Sequence, residues 1–263
     1  MKMTRSPIGS QFAKAFQKNE ILVPHLNNWF VAGKFPDELP ITLHLIKEAD
    51  DAFHPSSALM CLRTLQANMD GLLKKRENTL EAVKTFAFGH YIHGLIQWIC
   101  VDLGFAKWED IEVDCDFHLT TPNGNPYRVR GFPDIAKCIV PNHEPILVDI
   151  KTANAHVYSL ANLPRDKHEA YQAQVQLYLD FVGLDKGILL MAEKDHPHRF
   201  KEIVVERDDR KVDRIVKGWE SMVDNRATGK VSPCTCDEPE YCPAKDCYDE
   251  EILNNEINYE YNQ

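Results

Sequence analysis

The amino-acid sequence predicts an α/β fold, with a mixed sheet flanked by helices, a helical N-terminal part and a cysteine-rich C-terminal segment. Three observations support this prediction. Helical patterns dominate the N-terminal part, alternating apolar and polar residues typical of strands follow, and four of the eight cysteines crowd together near the C-terminus. A chain of 263 residues is long enough to bury a core of this kind.

The N-terminal part contains three helical stretches. We expect helices at about 9–18, from near Ser56, and from about 78 to 103. Asn78 and Glu81 have the spacing of a capping box at the start of the third helix, and Gly104 is a typical residue at the end of one.

The middle of the chain alternates between strands and helices. In chain order we expect a strand at 111–119, a turn at 122–125, strands at 127–140 and 146–151, a helix at about 167–181, strands near 187–193 and 199–206, and a helix at about 208–227. Three consecutive strands favour an antiparallel meander, and the helix after them favours a crossover to a further strand.

The negative charge of the chain is concentrated at its C-terminal end. From 232 to 263 there are nine acidic residues and one lysine, a net charge of −8, which leaves −2 of the total −10 for everything before. A nearly neutral body can still carry a basic groove, so the total charge does not exclude a nucleic-acid partner. We expect the acidic end itself to be a solvated tail.

The sequence predicts no membrane span and a cytoplasmic location. It has no apolar run long enough to cross a bilayer, and its N-terminus lacks the apolar segment of a secretory signal. In a reducing cytoplasm the eight cysteines are not expected to form a disulfide framework. A metal or cluster site therefore explains the crowded set better; its members are Cys234, Cys236, Cys242 and Cys247.

Two carboxylates and a lysine carry the strongest chemical signal. Gly131-Phe132-Pro133-Asp134 is followed fifteen residues later by Asp149-Ile150-Lys151. Asp149 and Lys151 are two residues apart on a strand, so their side chains point to the same face. Carboxylates are the ligands that Mg²⁺ or Mn²⁺ prefers, and a surface salt bridge at strand ends is the competing interpretation. The apolar strand that precedes Asp149 favours the metal site, because a buried charge needs a partner.

Two helices contribute further candidates. His93 lies in the third helix, where a neutral imidazole is a candidate additional metal ligand, and His90 competes with it. Gln174 and Tyr178 stand four residues apart on the helix after the strands, hence on one face. We expect Tyr171, with Gln172 and Gln176, to lie on other faces of that helix.

The order of these motifs resembles the RecB-like nucleases of the PD-(D/E)XK superfamily. The matching strings are Gly-x-x-x-His, Gly-x-Pro-Asp, Asp-x-Lys and Gln-x-x-x-Tyr, which cover His93 to Tyr178. The resemblance implies a restriction-endonuclease-like core and a Mg²⁺ or Mn²⁺ site made by His93, Asp134, Asp149 and the carbonyl of Ile150. It also implies that Lys151 orients or activates the water, while Gln174 and Tyr178 support the site and the substrate.

The cysteines resemble those of RecB-like nucleases that carry an iron–sulfur cluster. Such members include CRISPR-adaptation nucleases, the AddB nuclease domain and phage exonucleases. The resemblance implies a 4Fe-4S cluster whose ligands are Cys61, Cys236, Cys242 and Cys247, with Cys234 as the alternative to Cys236. The spacing departs from the usual pattern by one surplus cysteine, which leaves Zn²⁺ open as the alternative. We expect Cys100, Cys115 and Cys138 to be buried core residues.

These features predict a metal-dependent DNA exonuclease that hydrolyses phosphodiester bonds at DNA ends, with a preference for single-stranded or resected DNA. The alternative is a DNA-end trimming or binding subunit of a larger recombination or CRISPR-adaptation assembly, with a recombination or annealing protein as its partner. The sequence has no phosphate-binding loop of a fused helicase. We expect a nuclease domain at 1–231, a metal-binding segment packed on it at 232–250, and an acidic tail at 251–263.

Overall fold

The computed structural model describes residues 20–32, 51–73, 79–155, 165–195 and 199–248. The helix expected at 9–18, the cap residue Asn78 and the acidic tail lie outside these residues. In chain order the elements are α1 (Val23–Ala32), α2 (Leu62–Met69), α3 (Leu80–Asp102), β1 (Cys115–Thr120), β2 (Pro126–Gly131), β3 (Ile135–Cys138), β4 (Ile146–Ala153), α4 (Arg165–Val182), β5 (Lys186–Glu193), β6 (Phe200–Glu206) and α5 (Asp209–Ala227). Short 3₁₀ turns lie at Pro55–Ser57, Trp108–Asp110 and Pro239–Tyr241.

The main sheet has four strands in the order β3-β4-β5-β6. The pair β4–β5 is parallel and is joined through helix α4, whereas β3–β4 and β5–β6 are antiparallel. Strands β1 and β2 form a separate antiparallel hairpin. The prediction of a mixed sheet flanked by helices is therefore confirmed.

The two faces of the main sheet are covered by different helices. Helices α1 and α3 pack on one face, where Ile96 and Ile99 meet the β4 residues Val148 and Ile150. Helix α4 packs on the other face, where its apolar residues meet Leu147 of β4. Because side chains alternate along a strand, Asp149 and Lys151 of β4 face helix α4.

The prediction of one strand at 127–140 is wrong. The chain forms β2, breaks at Phe132, Pro133 and Asp134, and resumes as β3 in the other sheet. Pro133 has no N–H to donate to a sheet, and the Asp134 side chain bonds to the backbone of β4 instead. The expected three-stranded meander is therefore a hairpin followed by a separate strand pair.

Two further boundaries and one whole element differ from the prediction. Near Ser56 there is a single 3₁₀ turn, and the helix begins only at Leu62, after Cys61. The strand expected from 111 begins at Cys115, because Glu112 adopts a left-handed backbone with φ of 46°. Helix α1 was not predicted.

Helices α3 and α1 are capped by side chains that accept hydrogen bonds from their first N–H groups. The Thr79 hydroxyl accepts the N–H of Ala82 at the start of α3, and Gly104 follows the helix with φ of 71°. The Glu202 carboxylate of β6 accepts the N–H groups of Leu22 and Val23 at 2.8 and 3.1 Å and so caps α1. None of the helices that the structure describes combines the length and apolar composition of a membrane span.

Candidate active site

Asp134 is held between helix α3 and strand β4. Its Oδ2 accepts the Ile150 N–H at 2.6 Å, and its Oδ1 lies 2.9 Å from His93 Nδ1. The Gln97 amide of α3 donates to the Asp134 backbone carbonyl at 3.1 Å. The break in the strand thus places this carboxylate against the backbone of β4.

His93 of α3 contacts the Asp134 carboxylate. Its Nδ1 atom lies 2.9 Å from Asp134 Oδ1. The His90 ring lies one helical turn away, with its centroid 6.4 Å from that of His93. His93 is therefore the imidazole held beside the carboxylate, as a candidate metal ligand.

Asp149 is nearly inaccessible to solvent, with 1% of its surface exposed. Its Oδ1 accepts the Gln174 amide at 3.3 Å. Its Oδ2 forms an ion pair with Lys151 Nζ at 2.9 Å, yet it has no hydrogen-bond donor of suitable direction among the described residues. A carboxylate buried this deeply is stable as an anion only beside a cation, so its surroundings suit a positive ion.

Lys151 lies between Asp149 and an aromatic ring. Its Nζ is 5.4 Å from the centroid of the Tyr171 ring, and 19% of the side chain remains exposed. The expectation that Tyr171 lies on another face of α4 is wrong, because residues three apart, such as Tyr171 and Gln174, share a helix face. Tyr171 therefore joins the predicted residues of the site.

The ionisable groups of the site influence one another strongly. Burial, opposed by Lys151, raises the pKa of Asp149. Burial would also raise the pKa of Asp134, but the neighbouring His93 outweighs it and the pKa is lowered. Burial would lower the pKa of His93 and of Lys151, but the carboxylates outweigh it and both pKa values are raised. Asp134 is thus balanced by His93, whereas Asp149 is the carboxylate that a further cation would stabilise most.

Tyr178 is buried and packs against Gly131, the first residue of the Gly-x-Pro-Asp motif. Burial and the nearby Asp149 raise the pKa of this tyrosine, which keeps the phenol neutral. A Cβ atom on Gly131 would lie 2.8 Å from Tyr178 Cε1 and 2.9 Å from the Pro55 ring. Glycine is required there because β2 passes directly against these two rings.

Two contributors were not predicted from the sequence. Gln97 supports Asp134, and Tyr171 supports Lys151. Both lie at helical spacing from predicted residues: Gln97 is four after His93, and Tyr171 is three before Gln174. This helical spacing is the signal in the sequence that could have identified them. Spacing alone does not determine which of several polar residues on a helix contacts the site.

Four thiols lie together at a second location. The sulfur atoms of Cys61, Cys234, Cys236 and Cys242 are all within 4.8 Å of one another. Cys247 packs against the same cluster of residues but is not a member of this group. The structure thus brings together both Cys234 and Cys236, which the sequence treated as alternatives. The three remaining cysteines are buried in the core, as expected; they are Cys100, Cys115 and Cys138.

Two backbone N–H groups donate hydrogen bonds to the Cys61 thiol of this group. Burial would raise the pKa of Cys61, but the N–H groups of Thr64 and Thr235 outweigh it and lower the pKa to about 6. The Thr235 N–H donates to Cys61 Sγ at 3.4 Å. Such donors favour the thiolate, which is the form that binds metals.

The sequence matches no protein-family model and no curated protein. Several solved structures are distantly similar, among them the following three. The first, described as SSO0001, is 18% identical with a TM-score of 0.48, covering 84% of this chain and 91% of its own. The alkaline exonuclease LHK-Exo from Laribacter hongkongensis, in complex with dAMP, is 16% identical with a TM-score of 0.44, covering 68% and 89%. A phage-related exonuclease from Haemophilus somnus 129PT is 12% identical with a TM-score of 0.42, covering 68% and 96%. These similarities are too low to assign an activity.

Proposed function

We propose that this protein is a metal-dependent deoxyribonuclease that hydrolyses phosphodiester bonds at DNA ends. The observation that supports the proposal best is the buried Asp149 carboxylate, which lies 2.9 Å from the Lys151 ammonium. Asp134, His93 and Lys151 lie around it. A buried set of two carboxylates, an imidazole and an ammonium group is not needed to hold a sheet together, because apolar residues would do so at lower cost.

The donor set fits a hard divalent cation. The residues that would hold Mg²⁺ or Mn²⁺ are His93, Asp134, Asp149 and the Ile150 carbonyl, and Asp149 is the more buried of the two carboxylates. When bound, the ion would neutralise phosphate charge and polarise the phosphorus–oxygen bonds. Gln174 donates to Oδ1 of Asp149 at 3.3 Å and so fixes the orientation of the carboxylate.

Lys151 is the group that acts on the reacting phosphate. Its ammonium is fixed between the Asp149 carboxylate and the Tyr171 ring, and part of it reaches solvent. A fixed cation at this point orients the attacking water and offsets the negative charge that increases on the phosphate in the transition state. Because the ammonium is already positioned, little reorganisation is needed when the substrate arrives.

A polar and aromatic stripe on helix α3 supports single-stranded DNA as the substrate. Phe86, His90 and His93 are spaced at i, i+4 and i+7, so they lie on one face and lead away from the site. The Phe86 side chain is 56% exposed to solvent. Lys194 donates to the Thr85 carbonyl at 3.4 Å and so lies beside the stripe. An exposed ring for base stacking next to a cation for phosphate is the arrangement by which single strands are bound without sequence preference.

Digestion of labelled DNA tests this function. Single and double strands labelled at the 5′ or the 3′ end are incubated with Mg²⁺ or Mn²⁺, together with a circular single strand that has no ends. We expect labelled short products from linear single strands, an intact circle, and no cutting in EDTA. Cutting of the circle at the same rate would contradict an end-directed enzyme, and linear strands left intact with either metal would contradict a nuclease.

A further inference from the structure

The four-thiol group joins two distant parts of the chain. Cys61 precedes helix α2, whereas Cys234, Cys236 and Cys242 follow helix α5, and 173 residues separate Cys61 from Cys234. Ala67 and Ala244, both fully buried, pack against the thiols. The group therefore lies between the start of α2 and the C-terminal segment, apart from the carboxylate site; Cys242 is buried and the other three thiols are half-buried.

The distances between the sulfur atoms are those of ligands to one ion. Cys61 Sγ lies 3.8 Å from Cys234 Sγ and 3.9 Å from Cys242 Sγ. A tetrahedral zinc ion with bonds of about 2.3 Å separates its sulfur ligands by about 3.8 Å. The protein thus holds these thiols at the spacing of a mononuclear tetrahedral site.

A 4Fe-4S cluster, which the resemblance implies, does not fit this group. Each thiolate of such a cluster binds a different iron atom, so the four sulfur atoms lie outside the whole inorganic core. Here all four lie within 4.8 Å of one another, around the volume of a single ion. Cys247, which the cluster would require as a ligand, is not in the group.

We propose that Cys61, Cys234, Cys236 and Cys242 bind one structural zinc ion and that Cys247 is not a ligand. Four thiolates complete the tetrahedron, leaving no position for substrate or water, so the site is closed in the manner of structural zinc centres. Thr235 N–H donates to Cys61 Sγ at 3.4 Å, and the Thr64 hydroxyl lies 3.5 Å from Cys242 Sγ. Such contacts orient the ligands and offset the excess negative charge of four thiolates.

The ion would tie the C-terminal segment to the nuclease body. Neighbouring contacts bring the same two parts together: the Gln66 amide donates to the Lys230 carbonyl at 2.9 Å, and the Ser232 N–H donates to the Gln66 side chain at 2.8 Å. A metal that closes so long a loop stabilises the folded chain, because a preformed site does not exist in the unfolded one. Its removal should lower the melting temperature without acting on the chemistry directly.

Metal analysis of the full-length protein tests the proposal. The protein is produced with both zinc and iron in the medium and carries Asp149→Asn, so that zinc at the carboxylate site is not counted. We expect about one zinc ion per chain, no iron, and no brown colour. Cys234→Ser should lose the zinc and melt at a temperature lower by several degrees, whereas the matched control Cys247→Ser should keep both the zinc and the melting temperature.

X-ray absorption spectroscopy of the Asp149→Asn protein keeps the test valid if Cys234→Ser does not fold. We expect zinc surrounded by four sulfur atoms at about 2.3 Å, with no neighbouring metal. Iron with labile sulfide, lost on Cys247→Ser, would overturn the proposal in favour of a cluster. Freshly prepared protein with neither metal, or equal zinc loss from Cys247→Ser, would overturn it as well.

Discussion

At the scale of single residues, Lys151 and Asp149 are interdependent. The ammonium is the ion-pair partner of a carboxylate that is almost wholly buried, and 19% of the lysine side chain remains exposed. Its charge stabilises Asp149 in the resting protein and, in the proposed function, it also acts on a phosphate. These two effects can be separated experimentally, because only the second depends on the transition state.

Lys151→Met should lower the turnover rate by about a hundredfold or more while changing the DNA affinity by only a few-fold. Methionine keeps the length of the side chain but removes the charge that the transition state needs most. Single-turnover digestion gives the rate, and fluorescence anisotropy in EDTA gives the affinity. Lys107→Met is the control, because Lys107 is exposed and pairs with the neighbouring Glu109, far along the chain from the carboxylates. A loss confined to affinity would make Lys151 a phosphate-binding residue only.

Gly131→Ala should destabilise the protein by about 1–3 kcal/mol, since the new methyl group would overlap the Tyr178 and Pro55 rings. Thermal unfolding measures this loss. Gly218→Ala is the matched control: its Cβ would meet Leu62 only at 3.7 Å, and alanine favours the helix, so its stability should be unchanged or higher. Equal melting temperatures for the two variants would show that the close packing at Gly131 is unimportant.

At the scale of elements, the sequence patterns identified the strands and helices that build the site but not every boundary. Alternation and apolar runs indicate β1, β4, β5 and β6 because burial on one or two faces imposes them. The break before Asp134 was missed because apolar residues continue across it. Helix α1 was missed although Pro24 in its first turn and the spacing of Val23, Leu26 and Trp29 are local signals of a helix; its cap comes from Glu202, about 180 residues away.

Helix α3 carries two exposed phenylalanines, one on the proposed DNA path and one outside it. Comparing them tests whether DNA follows that path. Phe86 shares the face of His93, whereas Phe88 is 54% exposed on the opposite side of the helix. Phe86→Ala should weaken binding of single-stranded DNA by about tenfold to a hundredfold, the loss of one stacked base.

The rate of cutting at saturating DNA should change little in Phe86→Ala, because the ring lies two turns from the carboxylates. Phe88→Ala, the matched control, should bind DNA almost as the wild type does. Titration of a fluorescent oligonucleotide measures both. Equal losses in the two variants would indicate a general effect on the helix and would contradict a path along the Phe86 face.

At the scale of the whole molecule, the site depends on contacts between distant segments. Asp134 meets Ile150 across 16 residues and His93 across 41, and these motifs could be assembled from the sequence because they resemble a known pattern. The thiol group could be assembled only in part. The resemblance named Cys61, Cys242 and one of Cys234 and Cys236, whereas the structure brings both of the latter together and leaves Cys247 outside the group. Five cysteines outside the core were available, and their spacing alone does not determine which four converge when Cys61 arrives from the other end of the domain.

The central claim is that Asp149 holds a metal ion for phosphodiester hydrolysis, and Asp149→Asn tests it most directly. Asparagine has nearly the same volume and keeps one oxygen, but it removes the charge that a divalent cation needs. The measurement is the rate at which end-labelled single-stranded DNA is degraded in Mn²⁺ by wild type and variant at equal DNA occupancy. We expect no detectable degradation by the variant, with DNA affinity within about threefold of wild type. Degradation at the wild-type rate, or wild-type cutting that persists in EDTA, would contradict it.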